Sequence, residues 1–229
     1  MLLFAVMPAK AGIHFAPTPY ANSTVDARFR GHDVDNFRNV AARGRFGGCM
    51  NTPKLETALE RAERIHDAAA LDAAISRIGT EIDAALAGEP ALFLTVMQGA
   101  LPFAGQLATR IAAPLAFDYI HATRYRGATS GGELHWIKRP NVSLAGRTVL
   151  LVDDILDEGH TLAGIRDFCV EQGAARVLIA VLCEKRHGRG AGLVADFVGV
   201  EVPDRYVFGY GMDYHEQGRN LAAIYAVDA

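Results

Sequence analysis

The chain holds few of the residues that mark several common functional classes. Three cysteines, Cys49, Cys169 and Cys183, are an odd and widely spaced set in 229 residues. They exclude a disulfide framework and offer no metal-ligand spacing. Cys169 and Cys183 fall within apolar helix and strand patterns, so we expect reduced, buried thiols in a cytoplasmic protein. Excess charge is equally scarce: 23 Lys and Arg against 26 Asp and Glu leave a net charge of -3. With no basic stripe interleaved with aromatics, neither nucleic acid nor an anionic membrane is an expected partner. No apolar run approaches the roughly 18 residues of a spanning helix, so the expectation is a soluble protein.

What is present is a chain that is 50% hydrophobic, enough for one sizeable core. The first 49 residues stand apart. They begin with seven apolar residues before Pro8 and Lys10 and continue with scattered Arg, Gly and Asn without periodicity. That is a poor signal peptide, lacking a charged leading region and a sustained apolar stretch. The phrases MPAKAGIHF and DARFRGHD look like translated bacterial intergenic repeat sequence, and Met50 opens a coherent pattern directly afterwards. We therefore expect residues 1–49 to be a disordered or spurious extension and residues 50–229 to form the domain.

Within that domain, Leu55, Ala58, Leu59, Ala62 and Ile65 recur at helical spacing, as do Leu71, Ile75, Ile78, Ile82 and Leu86. Two helices are thus expected before the sheet, the second capped by Asp67 and ended by Gly88 and Pro90. Ala91 to Met97 read as a buried strand that Gln98, Gly99 and Ala100 turn into a helix near Leu101. Leu115 to Tyr125 alternate as a strand, RGATSGG follows as a flexible stretch, and GELHWI returns as a strand. Arg147 to Val152 and Ala175 to Leu182 flank a helix starting near His160, a parallel crossover.

The richest chemistry lies in VLLVDDILDEGHTLAGI, Val149 to Ile165. Val149 to Val152 read as a buried parallel strand. The loop expected after it, at the carboxyl end where open α/β sheets place ligands, crowds together Asp153, Asp154, Asp157 and Glu158. Carboxylates so close repel unless something cationic or hydroxyl-bearing sits between them, and a sugar diol with Mg2+ meets that need. Gly159 permits a tight turn, and His160 and Thr161 open the helical pattern Leu162, Ile165, Phe168, Cys169. The free amides and the helix dipole suit a phosphate monoester. Acids for hydroxyls beside amides for phosphate describe a ribose 5-phosphate. Taken singly, acids and a glycine at a strand end form an ordinary solvated turn.

VDDILDEGHT resembles the 5-phosphoribosyl-1-pyrophosphate (PRPP) motif of the type I phosphoribosyltransferases, and within them the bacterial hypoxanthine-guanine branch. The resemblance runs from Leu55 to Val227. It implies an α/β fold with a mainly parallel central sheet flanked by helices, a small hood and a flexible lid loop. It further implies an enzyme of purine salvage that takes PRPP and a 6-oxopurine base, uses Mg2+, and assembles as a homodimer or homotetramer.

The same resemblance assigns roles. Asp153 and Asp154 would hold the ribose hydroxyls, directly or through Mg2+. The amides of Glu158, Gly159, His160 and Thr161, with the Thr161 hydroxyl, would hold the 5-phosphate. Asp157 would take the purine N7 proton as N9 attacks. Met97, Gln98 and Gly99 form the pyrophosphate loop, with a cis peptide between Met97 and Gln98. Many relatives place Lys or Arg where this chain has Gln98, and some place a lysine where it has Thr123, so amides and metal would carry more of the pyrophosphate contact. Tyr125 matches the lid tyrosine. Lys185 would donate to the purine 6-oxo group, Tyr206 would stack on the base, and the Val207 backbone would meet its edge. Asp213 falls where an acid associates with Mg2+, and Arg219 matches a pyrophosphate-contacting arginine. A fixed donor at Lys185 disfavours adenine but admits xanthine. A PRPP-sensing regulator that binds nucleic acid on the same fold is the alternative from another class.

Overall fold

The computed structural model describes residues 54–124, 134–187, 189–190 and 192–228. The expectations for residues 1–49, and for Tyr125 and the lid, lie outside the described residues. The described part falls within one compact unit, Gly47–Ala229.

Continuous apolar runs at the centre and alternating strands at the edge build the larger sheet. Its strands are β2 (Ala91–Val96), β3 (Leu115–Arg124), β4 (Leu134–Lys138), β5 (Thr148–Leu156), β6 (Arg176–Lys185) and β7 (Phe197–Val202), in spatial order β4-β3-β2-β5-β6-β7. All neighbours run parallel except the edge pair β3 and β4. The central strands are apolar on both faces because helices cover both. Phe93, Leu150 and Val152 face a core built with Leu71, Ile75, Ile78 and Ile82 of α2 (Ala68–Leu86) and with Phe103 and Leu107 of α3 (Leu101–Ala108). Their neighbours Leu92, Leu94, Val149 and Leu151 face the opposite core, closed by Leu162, Ile165 and Cys169 of α4 (His160–Glu171).

Local chemistry sets the ends of α2. The Asp67 carboxylate accepts from the Ala70 N–H at 2.9 Å, a cap worth about 1 kcal/mol. At the other end Ala87 itself takes the left-handed turn, with φ of 51°, one residue before the expected stop at Gly88.

Two expectations are corrected. The first helix, α1, spans only Leu55–Leu59, and Glu63–His66 form strand β1 instead of its second half. That strand pairs antiparallel with β9 (Ile224–Val227), which also carries β8 (Tyr206–Phe208), giving a separate three-stranded hood. The spacing of Ala62 and Ile65 continues a helical stripe, but so short a helix has little stability of its own and long-range pairing prevails. The second correction concerns β5, which runs beyond Val152 to Leu156. Asp153 pairs with Val181 and Ile155 with Cys183, so Asp153 and Asp154 lie on the strand and not in the loop. Adjacent β6 is long enough to supply hydrogen-bond partners past the apolar run.

Candidate active site

Three chain segments meet at the carboxyl end of the sheet. The first is the tail of β5. The Asp154 backbone N–H donates to Asp153 Oδ1 at 2.9 Å and fixes that carboxylate, and the two acid side chains lie within hydrogen-bond reach of each other. Desolvation, then the neighbouring Asp154 charge, pushes the Asp153 carboxyl well above the ordinary carboxylate range. Desolvation also raises Asp154, against the opposing pull of Arg219. Two acids with raised proton affinity form a site that gains by receiving a cation or hydroxyl donors.

The second segment is the turn after β2, where the Met97–Gln98 peptide is cis. Gly99 lies directly against Asp154: a Cβ at position 99 would collide with the Asp154 carboxylate. The third segment precedes β9. A Cβ on Gly211 would collide with the Gly99 carbonyl, and the Arg219 guanidinium donates to the Gly211 carbonyl at 2.6 Å and to Asp213 Oδ1 at 2.7 Å. Missing side chains at positions 99 and 211 thus let the turn, the acid pair and the Arg219 segment close on one another.

Beyond the acid pair, Gly159 turns the chain with φ of 73°, and the first bond of α4 runs from the Ala163 N–H to the Gly159 carbonyl at 2.8 Å. The preceding amides are those a helix leaves for a ligand, beside the positive end of its dipole. Glu158 and His160 stand exposed on this turn, His160 Nε2 lying 3.9 Å from Glu158 Oε2.

Asp157 is held from two sides. The Lys185 ammonium, at the end of β6, donates to its Oδ2 at 2.7 Å, and His187 Nε2 lies 2.7 Å from its Oδ1. Burial pushes the Asp157 carboxyl up, but the bonds from Lys185 and His187 outweigh it and hold the group below its usual value. Lys185 therefore faces Asp157 in this structure. His187 escaped the sequence reading altogether. The available signal was alternation: His187 follows Lys185 by two residues, so an extended chain presents both on one side.

The hood contributes Tyr206, whose hydroxyl donates to the Asp213 carbonyl at 3.1 Å and whose ring stacks with His215 at 6.5 Å between centroids. Val207 is buried opposite Ala226. Asp213 is already engaged, accepting from Arg219 and from the Glu216 N–H at 2.9 Å. Among the described residues no three acidic, His or Cys side chains gather into a metal cage. The paired oxygens of Asp153 and Asp154 nonetheless fit Mg2+, which takes one or two carboxylates and completes its shell with substrate oxygens and water. Gln98 is exposed at the turn and offers no cation. Cys183 is pushed far up by burial and by Asp154, and Cys169 to about 11, so both thiols stay protonated. Among the described residues no helix is long and apolar enough to cross a membrane.

A mainly parallel sheet with paired acids at its carboxyl edge, an open helix amino terminus beside them and a hood defines an α/β protein of the sugar-phosphate-binding class. The chain belongs to the phosphoribosyl transferase domain family, whose model matches residues 61–216, and its fold is that of the type I phosphoribosyltransferases. The hypoxanthine-guanine phosphoribosyltransferase of Bacillus subtilis is 38% identical over 151 residues, which is 66% of this chain and 84% of that protein. The bifunctional protein TilS/HprT of Listeria innocua is 39% identical over 151 residues, 66% of this chain, but the match spans only 23% of that longer protein. A crystal structure of a hypoxanthine phosphoribosyltransferase from Staphylococcus aureus superposes with a TM-score of 0.71 at 29% identity. It covers 79% of this chain and 97% of its own.

Proposed function

We propose that this chain is a purine salvage enzyme that transfers the 5-phosphoribosyl group of PRPP to hypoxanthine, and to guanine, yielding IMP or GMP and pyrophosphate. The observation that carries the reading is Asp157 facing Lys185 at 2.7 Å, between the Asp153 and Asp154 pair and the open start of α4. A base acceptor, a 6-oxo donor, a diol site and a phosphate site then lie along one sheet edge. The relatives that carry the name hypoxanthine-guanine phosphoribosyltransferase support the same reaction.

Asp153 and Asp154 bind the two ribose hydroxyls, and their raised proton affinity falls when those hydroxyls or a cation arrive. The amides of Glu158 to Thr161 and the Thr161 hydroxyl anchor the 5-phosphate. The Met97 to Gly99 turn and Arg219 receive the pyrophosphate. Mg2+ held at Asp153 and Asp154, with Asp213 nearby in the family pattern, would neutralise the departing pyrophosphate. Tyr206 stacks on the base and the Val207 backbone meets its edge. Lys185 donates to the 6-oxo group, a contact adenine cannot accept. Asp157 takes the N7 proton as N9 bonds to the anomeric carbon, where positive charge grows as pyrophosphate leaves. Tyr125 would belong to a lid that excludes water. The enzyme would work in the cytoplasm as a homodimer or homotetramer.

Nucleotide formation followed by ultraviolet absorbance tests this, with PRPP, Mg2+ and each of hypoxanthine, guanine, xanthine and adenine offered separately. IMP and GMP are the expected products. Xanthosine monophosphate alone would reassign the base, and no turnover despite PRPP binding would turn the reading to a sensor.

A further inference from the structure

Lys185 has two tasks that compete. It must reach the 6-oxo group of the base, yet it stands on Asp157 Oδ2. When it leaves for the purine, Asp157 would lose the one Lys or Arg contact it has among the described residues and be free to rotate unless a second group holds it. His187 is placed to do so. Its side chain is 6% exposed, Nε2 lies 2.7 Å from Asp157 Oδ1, and the Arg189 N–H donates to Nδ1 at 3.2 Å. A nitrogen that accepts a hydrogen bond carries no proton, so Nδ1 is bare and the proton sits on Nε2. The ring is therefore a neutral donor to Asp157.

The segment carrying His187 is itself fixed. Arg189 binds both oxygens of Asp204 at 2.6 and 2.8 Å. Gly190, at φ of 125°, sits so close to the Glu158 backbone that a Cβ there would lie 2.5 Å from the Glu158 carbonyl oxygen. Leu193 meets Gly159, a Cβ on which would lie 3.2 Å from the Leu193 Cβ. The stretch after β6 thus braces the Asp157 to Gly159 turn along its length.

We propose that His187 is the positioning residue of the purine-binding site: as a neutral Nε2–H donor it anchors Asp157 by Oδ1 and reserves Oδ2 for the base once the 6-oxo group has drawn Lys185 away. The inference rests on the proposed transfer reaction and adds to it the division of labour between the two carboxylate oxygens. It also ties specificity to chemistry. A base without a 6-oxo acceptor leaves Lys185 on Oδ2, where it blocks proton acceptance.

Among the described residues, the charged and titratable groups facing Asp157 are Lys185 from β6 and His187 from the following segment. Glu158 and His160 share its turn, and Arg189 is spent on Asp204. Removing the His187 donor weakens the hold on the charged carboxylate, so the proton affinity of Asp157 rises. In the full chain, His187→Leu and His187→Asn, the latter too short to reach, should lower kcat about tenfold and move the acid limb of kcat/KM for hypoxanthine up by about one pH unit. KM for PRPP should stay near the starting value. His187→Gln, which keeps both a donor and an acceptor, should recover the limb and most of kcat. Variants that melt normally yet leave both kcat and the acid limb unmoved would overturn the inference, as would Gln failing where Leu fails.

Nitrogen-15 NMR of histidine-labelled protein gives a readout independent of turnover. His187 should show a bare Nδ1 and a protonated Nε2 near neutral pH, and the Nε2 signal should move in Asp157→Asn. A ring protonated on Nδ1 overturns the proposal even if the enzyme is active. If the unmodified protein makes no nucleotide, the transfer reading fails, and the NMR result still decides whether His187 holds Asp157.

Discussion

Asp157 and Asp153 are both acids of one strand end, and their surroundings drive them in opposite directions. Asp157 is held low by two donors, so it is ionised at working pH, as the proposed role of proton acceptor requires. Asp157→Asn should lower kcat about 100-fold, in the range general-base removal gives, with IMP affinity little changed. Steady-state rates and calorimetric IMP binding check this, and equal turnover by the variant would remove Asp157 from the chemistry. Asp153 is raised, chiefly by burial and then by Asp154. A carboxyl whose folded pKa lies above its unfolded value, about 3.9, binds its proton more tightly when folded. Its stabilising contribution is full below that unfolded value and is lost as pH rises through the folded one. At neutral pH the free protein therefore bears the cost of that group. Asp153→Asn should raise Tm at pH 7 to 8 but not near pH 4, while weakening PRPP binding. A Tm difference that does not change with pH would contradict this account.

Elements differ in how plainly they can be read. The runs Ala91–Val96 and Val149–Val152 are strands in sequence and structure alike, because continuous apolar residues at a parallel sheet's centre leave little alternative. Asp67 as the cap of α2 was equally legible, since its role depends on residues three positions away. The cis peptide at Met97–Gln98 was legible only through family resemblance, no local propensity marking it. The hood was legible only through the same resemblance, and its first strand was hidden: Glu63–His66 becomes a strand because β9, about 160 residues later, pairs with it, and helical spacing masked that. His187 was hidden for a related reason, as its partner Asp157 lies 30 positions away. Gly159 belongs among the legible residues, and its φ of 73° makes its substitution informative. Gly159→Ala should cost about 1–2 kcal/mol for the left-handed conformation. The added Cβ would also press on Leu156 Cδ1 at 3.0 Å and Leu193 Cβ at 3.2 Å. Urea unfolding measures the loss, and KM for PRPP should rise with it because the amides of the turn shift.

At the scale of the molecule, the proposed substrate site is distributed over segments far apart in the chain: the turn after β2, the end of β5 with the start of α4, and the Gly211 to Arg219 stretch. Each is anchored to the described body by its own packing, and the two acids at their meeting point keep a raised proton affinity. A ligand that bridges all three segments binds the folded chain alone and stabilises it by mass action, by about 2.7 kcal/mol at 100 times Kd. For a domain of this size that corresponds to a rise in Tm of about 5–10 °C. PRPP with Mg2+ should produce that rise. Hypoxanthine alone should produce little, because in the proposed site it would reach only Lys185, Asp157 and the hood, and would compete with an ion pair already made. The same rise is expected in a protein beginning at Met50, since every contact invoked lies between Met97 and Arg219. Differential scanning calorimetry of both lengths, with each ligand separately, checks the two expectations together. A hypoxanthine response as large as that to PRPP would mean that the base site is open before the sugar phosphate binds, and that Lys185 does not guard Asp157.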